Sequence, residues 1–219
     1  MNKFCILLTC CVAPLYCNEK EVKKRKRLYL RVIRKWLKET DFEIYCVDSS
    51  GYPFSEIKNE RFHIYSFVYK NKDVNIGKTH GEVKSILNAY KYFKKEWCNN
   101  EKKGYTHMIK ITGRYYLEDL EKWCKKKSVI HSTRDLWTQR ECLPFPQSLA
   151  YYFLSHTNSE IFICRISKLY DMFSRKEKDI YMERHINMLE EKYKYGKLPP
   201  LKNTLRSRRG GDNLFLEYL

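Results

Sequence analysis

Residues 105–116 constrain this chain more than any other stretch. Thr106, Met108, Ile109 and Ile111 form a short run rich in β-formers. The run stops at Thr112 and Gly113, where glycine permits a sharp turn, and Arg114, Tyr115 and Tyr116 follow directly. A strand that ends this way presents a cation and two aromatic rings at its carboxyl end. Ligands of open α/β sheets bind outside the carboxyl ends of the strands, and such a cluster suits an anionic, ring-bearing ligand such as a nucleotide sugar. An ordinary central strand closed by a glycine turn fits the same residues equally well.

The segments before this stretch alternate between the two regular structures. Residues 4–9 read as a buried first strand. A basic helix is predicted over 19–38, with Val22, Leu28, Leu30, Ile33, Trp36 and Leu37 near helical spacing. Residues 42–47 read as a second strand, ending in a turn at 48–53 rich in Asp, Ser, Gly and Pro, and residues 61–67 as a third. A helix then runs through Val83, Ile86, Ala89, Tyr90 and Phe93 to Trp97. After the organising stretch the pattern predicts a short helix at 117–124, a strand at 128–132 and an irregular loop at 134–147. Strands at 148–154 and 160–164, helices at 167–174 and 180–193, and a basic loop over 198–212 complete the reading. No internal repeat or long linker divides the chain, so one α/β domain is expected.

Composition narrows the class without choosing the function. Lys and Arg number 43 against 26 acidic residues, a formal charge of +17, which predicts attraction to nucleic acid, acidic lipid or phosphorylated substrates. The run of Lys and Arg over 23–27 reads as a nucleic-acid or nuclear-localisation patch, or as a solvated helix face. The nine cysteines show no spacing of the zinc kind and lie mostly beside apolar runs, as free thiols in a reducing compartment do. Gly77, Lys78 and Thr79 resemble the end of a phosphate-binding loop but lack its upstream glycine. The apolar N-terminus admits two readings, a short signal peptide or a first strand; the βαβ pattern that follows favours the strand. No other segment looks transmembrane, and a cytoplasmic protein is expected.

Taken in order, several motifs resemble one family. They are Arg27 and Tyr29 on the first helix, Val47 to Gly51 at the second strand's end, Thr79 to Glu82 opening a helix, and Ile109 to Tyr115. The set resembles the GT-A-fold glycosyltransferases of large DNA viruses and bacterial surface-polysaccharide clusters, over roughly residues 4–120. The resemblance implies an α/β, single GT-A-like (nucleotide-diphospho-sugar transferase) domain with a mixed central sheet flanked by helices. Its nucleotide-binding half would span about 1–125 and its acceptor-side half about 126–219. It further implies a hexosyltransferase-like enzyme that moves a sugar from a UDP- or GDP-sugar to a glycan or glycoprotein acceptor. The donor-binding residues it points to are Thr9, Asp48, Ser49, Glu82, Lys110, Thr112, Gly113, Arg114, Tyr115 and Arg134.

The chain departs from the family where metal would bind. Many GT-A enzymes hold a divalent cation with an Asp-x-Asp, and this sequence has none, so dependence on Mn²⁺ or Mg²⁺ is open. Lys110 or Arg114 could neutralise a diphosphate instead, since Arg contacts phosphate bidentately, while Glu118 and Asp119 are the carboxylates nearest downstream. Glycosyl transfer needs leaving-group stabilisation and, for inversion, a base. Arg114 is the candidate for the first. Glu160, Glu183 and Glu82 are candidate carboxylates, with Glu160 taken as the acceptor-side acid. Arg206, Arg208 and Arg209 would make a closing loop, with Asp212 beside them. The competing classes are a basic nucleic-acid-binding protein, a nucleotidyltransferase on a similar sheet, and a transferase fold kept only for binding. No specific nucleic-acid partner is expected, because no helix-turn-helix, zinc or RNA-recognition signature appears.

Overall fold

A computed structural model describes residues 1–15, 17–70, 77–99, 104–140, 157–174 and 182–199. The first strand, β1 (Phe4–Cys10), leads into helix α1 (Glu19–Glu39). Asn18 caps that helix by accepting from the Glu21 N–H, and the Glu21 carboxylate accepts from the Asn18 N–H, each at 3.0 Å. Strands β2 (Ile44–Asp48) and β3 (Phe62–Ser66), helix α2 (Gly77–Asn99) and strand β4 (His107–Thr112) follow. Then come two short helices, α3 (Leu120–Cys124) and α4 (Lys127–Ile130), and strands β5 (Leu136–Arg140) and β6 (Thr157–Arg165). Helices α5 (Ile166–Ser174) and α6 (Met182–Lys192) and strand β7 (Tyr195–Lys197) end the described chain.

All these strands join one sheet in the order β3-β2-β1-β4-β6-β5-β7. β3, β2, β1 and β4 are mutually parallel. β6 runs antiparallel to both β4 and β5, and β7 is parallel to β5. The expected mixed sheet flanked by helices is therefore present. Its central strands are apolar almost throughout because helices cover both faces. Ile6, Leu8, Ile109 and Ile111 pack in the core under α1, α3 and α4. Cys5, Leu7, Met108 and Phe162 pack in a second core under α2, α5 and α6.

The strands expected at the N-terminal half are all found, and three features of the C-terminal half differ. Residues 128–132, read as a strand, contain the end of α4 instead. The Ile130 and His131 N–H groups donate to the carbonyls of Lys126 and Lys127 at 2.9 and 3.0 Å, local bonds that close a turn before any strand partner is reached. Residues 134–147, read as irregular, begin with β5, because Leu136 and Trp137 enter opposite cores and pair with Cys164 and Ile163 of β6. β7 has no apolar run to announce it. Its Gly196 lies against the Trp137 ring, where a Cβ would stand 2.8 Å from Cδ1. The strand read at 148–154 and the loop over 200–212 lie outside the described residues.

His107 anchors the start of β4. It is fully buried, with Nε2 3.1 Å from the Arg134 carbonyl, Nδ1 2.9 Å from Thr106 Oγ1, and its ring edge-on to Trp137. Burial pushes its pKa down, to about 4 against an ordinary 6.5. The folded state thus resists protonation more than the unfolded chain. The stability from the neutral ring is present above pH ~6.5 and is lost as pH falls through about 4. Urea unfolding across this window should show a shallower pH dependence in His107→Gln than in the parent; identical slopes would rule out His107 as the titrating group.

Candidate functional site

The strand order sets where a ligand fits. From β1 the chain moves outward to β2 and β3, then returns through α2 to β4 on the other side of β1. The sheet therefore has a topological switch point between β1 and β4, the position where open α/β sheets bind ligands at their carboxyl edge. Thr9 and Thr112 face each other there as register partners.

Beyond Thr112 the backbone folds tightly over β1. The Gly113 N–H donates to the Thr9 carbonyl at 2.9 Å, and the Tyr115 N–H to the Thr112 carbonyl at 3.0 Å. Gly113 does not adopt a left-handed conformation; space is what requires it. A Cβ at this position would meet Cys10 Sγ at 2.2 Å, Tyr29 Cδ1 at 3.2 Å and the Thr9 carbonyl at 3.3 Å. Gly113→Ala should lower stability by about 1–3 kcal/mol through overpacking. Adding Cys10→Ala should recover part of the loss in a thermal melt, and no recovery would mean that the backbone contact dominates.

Asp48 ends β2 and holds two loops of this edge together. Its side chain is wholly buried. Oδ2 accepts from the Val12 N–H at 3.0 Å, while Oδ1 accepts from the Ser50 N–H, the Ser50 hydroxyl and the Tyr52 N–H at 2.8, 2.6 and 3.0 Å. Four acceptor positions are about all a carboxylate has. Asp48, expected among the donor-binding residues at the strand tip, thus faces its own loops. Ser50 Oγ also accepts from the Ala13 N–H at 3.0 Å, extending the same tie, and the neighbouring Ser49 donates from N to the Cys10 carbonyl at 3.0 Å.

Two ion pairs stand on the α2 side of the switch point. Lys110 is the fully buried cation of β4; its Nζ pairs with Glu82 of α2, lies 3.3 Å from Thr112 Oγ1, and sits 5.8 Å from the centre of the Phe162 ring. Arg114 donates from Nη2 to Glu160 Oε1 at 3.1 Å, and the two side chains are 39% and 25% exposed. β6 brings Glu160 there because Ile161 pairs with Ile111, one residue short of the strand end. The guanidinium carbon lies 5.3 Å from the centre of the Tyr115 ring. Burial opposes the Arg114 charge, but Glu160, Tyr115 and Tyr29 outweigh it and push its pKa up. Its buried Nε has no hydrogen-bond partner.

The structure thus brings together Thr9, Glu82, Lys110, Thr112, Gly113, Arg114, Tyr115 and Glu160, with Asp48 and Ser49 in the loop beside them. Arg134 is a correction. It precedes β5, which runs in the same direction as β4, so it lies at the opposite edge of the sheet, with its carbonyl on His107 and its Nη1 2.7 Å from the Tyr195 carbonyl. Glu183 lies on α6, but its side chain is outside the described residues, as are Arg206, Arg208, Arg209 and Asp212.

Among the described residues, the carboxylates nearest downstream of β4 are turned to lysines. Glu118 turns to Lys35 of α1 at 3.5 Å and Asp119 to Lys122 at 3.8 Å. Among the described residues no group of three His, Cys, Asp or Glu side chains converges on one point. Sequence reasoning also missed Arg25, which it placed in an exposed charge run. Its Nε and Nη2 donate to the Cys11 carbonyl at 2.9 and 2.7 Å, and Nη2 lies 3.1 Å from the Tyr29 hydroxyl. The signal was the i, i+4 spacing of Arg25 and Tyr29, which puts both on the face of α1 turned to the β1–α1 loop.

No protein-family model and no curated protein matches the sequence. Among solved structures, the chain is similar to a protein of Desulfovibrio desulfuricans G20 assigned as a nucleotide-diphospho-sugar transferase. The identity is 13%, the match covers 91% of this chain and 80% of that one, and the TM-score is 0.48. It is also similar to a glycosyltransferase involved in the glycosylation of the major capsid of PBCV-1, at 9% identity over 90% of this chain and 82% of that one, with a TM-score of 0.49.

Proposed function

We propose that this chain is a GT-A-like glycosyltransferase that moves a sugar from a nucleotide-diphosphate donor to a glycan or glycoprotein acceptor. The observation that supports it most is Arg114, a half-exposed guanidinium at the switch point, stacked by Tyr115 and balanced by a single described carboxylate bond to Glu160. A planar fork of donors matches a diphosphate. In this reading the donor's diphosphate takes the guanidinium, and Lys110 adds positive potential from inside the sheet. The departing nucleotide is stabilised by charge already in place.

Glu160 then changes role. When the diphosphate engages Arg114, the carboxylate shares that guanidinium with the phosphate oxygens. It stands where an acceptor hydroxyl would approach and takes that proton during transfer. Glu82 orients Lys110 from α2. Thr9, Thr112 and Ser49 supply short polar side chains around the nucleotide, and Asp48 positions their loops without touching the ligand. The described carboxylates Glu82 and Glu160 are engaged with cations, so the leaving-group charge is assigned to Arg114 and Lys110.

The test is stabilisation by ligand. Thermal melts with UDP-, GDP-, CMP- and dTDP-sugars, with and without Mn²⁺, should show one donor class raising the melting temperature. At a hundred times its dissociation constant a ligand adds about 2.7 kcal/mol. A shift that is the same without Mn²⁺ supports neutralisation by Arg114 and Lys110. If no nucleotide sugar shifts the protein, the transferase reading fails.

A further inference from the structure

The charge run that sequence reading left undecided is part of a longer pattern on α1. Lys20, Lys23, Arg27, Arg31, Arg34 and Lys38 are all exposed. They recur at steps of 3, 4, 4, 3 and 4 residues, which is one straight line along a helix of 3.6 residues per turn. From Lys20 to Lys38 the line runs 18 residue steps, about 27 Å at 1.5 Å per residue. The acidic residues of α1 meet it at its end, where Glu39 pairs with Lys38 at 3.4 Å. Glu19 and Glu39 sit at the two ends of the helix, and Glu21 is part of the N-terminal cap. The opposite face, with Tyr29, Ile33, Trp36 and Leu37, is buried on the sheet. Just ahead of the first turn, Leu15 is 84% exposed.

We propose that this ridge is a docking surface for an anionic phospholipid bilayer. A straight helix with one face packed and the other uniformly cationic can lie flat on a plane of negative headgroups, where four to eight Lys or Arg residues suffice for recruitment. The ridge carries no aromatic or amide side chain, so it lacks the stacking platform of a single-strand binder and the Asn or Gln that pairs with adenine. Leu15 at the ridge's end has a place in the acyl boundary of a membrane and none on a phosphate backbone. This inference stands independently of the transferase reading.

The experiment is sedimentation of the full chain with vesicles of phosphatidylcholine alone, or mixed with phosphatidylserine, at low salt and at physiological ionic strength. Binding should require phosphatidylserine and weaken as salt rises. Each cation at the surface contributes roughly five-fold in affinity. Lys23→Glu, Arg31→Glu and Arg34→Glu together should therefore reduce partitioning at least about 100-fold. These positions are exposed and far from the packed face, so the circular dichroism melt should be unchanged. Leu15→Ser should selectively remove the fraction that survives physiological salt. Equal binding to neutral vesicles, or undiminished binding by the triple variant, would overturn the proposal. So would displacement from vesicles by a low concentration of RNA or DNA duplex, which would transfer the ridge to a nucleic-acid partner.

Discussion

Arg114→Ala is expected to abolish the donor-induced thermal shift and to lower turnover by about 10²–10³-fold, the range seen when one preorganised stabilising donor is removed. The variant should nevertheless fold. The Arg114–Glu160 pair is partly exposed on both sides, and such pairs contribute roughly 0–1 kcal/mol. This separates the catalytic claim from a structural one, because a merely structural arginine would show the reverse pattern. Arg114→Lys should keep part of the affinity and little of the rate, since a lysine ammonium gives charge without the bidentate fork. Glu160→Gln should retain donor binding and lose transfer. If Glu160→Gln and the parent transfer at equal rates, the acceptor-side base lies elsewhere.

Asp48→Ala should be among the most destabilising single changes in the chain, by about 3–5 kcal/mol. Three backbone N–H groups, from Val12, Ser50 and Tyr52, lose a charged acceptor within a buried site. Asp48→Asn is the sharper test. An amide keeps one oxygen and turns an NH₂ toward donors on the other side, so it can satisfy either Val12 or the Ser50–Tyr52 turn, not both. It should cost about 1–3 kcal/mol in urea unfolding. It should also weaken the donor shift, although Asp48 faces the protein's own loops, because the β1–α1 loop at one rim of the switch point depends on it. A cost below about 0.5 kcal/mol, the size of an ordinary surface change, would refute its assignment as the tie between these loops.

Legibility followed the type of signal. β1, β2 and β4 were readable because strands covered on both faces are nearly continuous apolar runs, and α1 because its buried residues keep helical spacing. β5 was not, because Leu136 and Trp137 feed opposite cores and their partner strand, β6, lies later in the chain. At the site, residue types were readable and directions were not. Asp48 at a strand tip fits an outward ribose contact as well as an inward knot of loops, and only the backbone path of Ser50 to Tyr52 decides. Arg134 failed for a related reason. A residue beside a supposed loop is at the ligand edge or the opposite edge according to the sense of the following strand, which sequence did not reveal. Arg25 differed from its neighbours only by rotation around α1.

Lys110 has a consequence for how this chain is made. The four parallel strands and both long helices lie within residues 4–112. The other side of β4 must wait for β6, which begins at Thr157, roughly 45 residues or about two to nine seconds of ribosomal synthesis later. During that interval β4 is a naked apolar edge, the kind of surface that recruits other nascent chains. A lysine in its centre makes stacking against a second copy of itself unfavourable, and Glu82, already synthesised, is at hand to receive the charge. The cation later enclosed in the sheet should thus also disfavour aggregation of the unfinished strand.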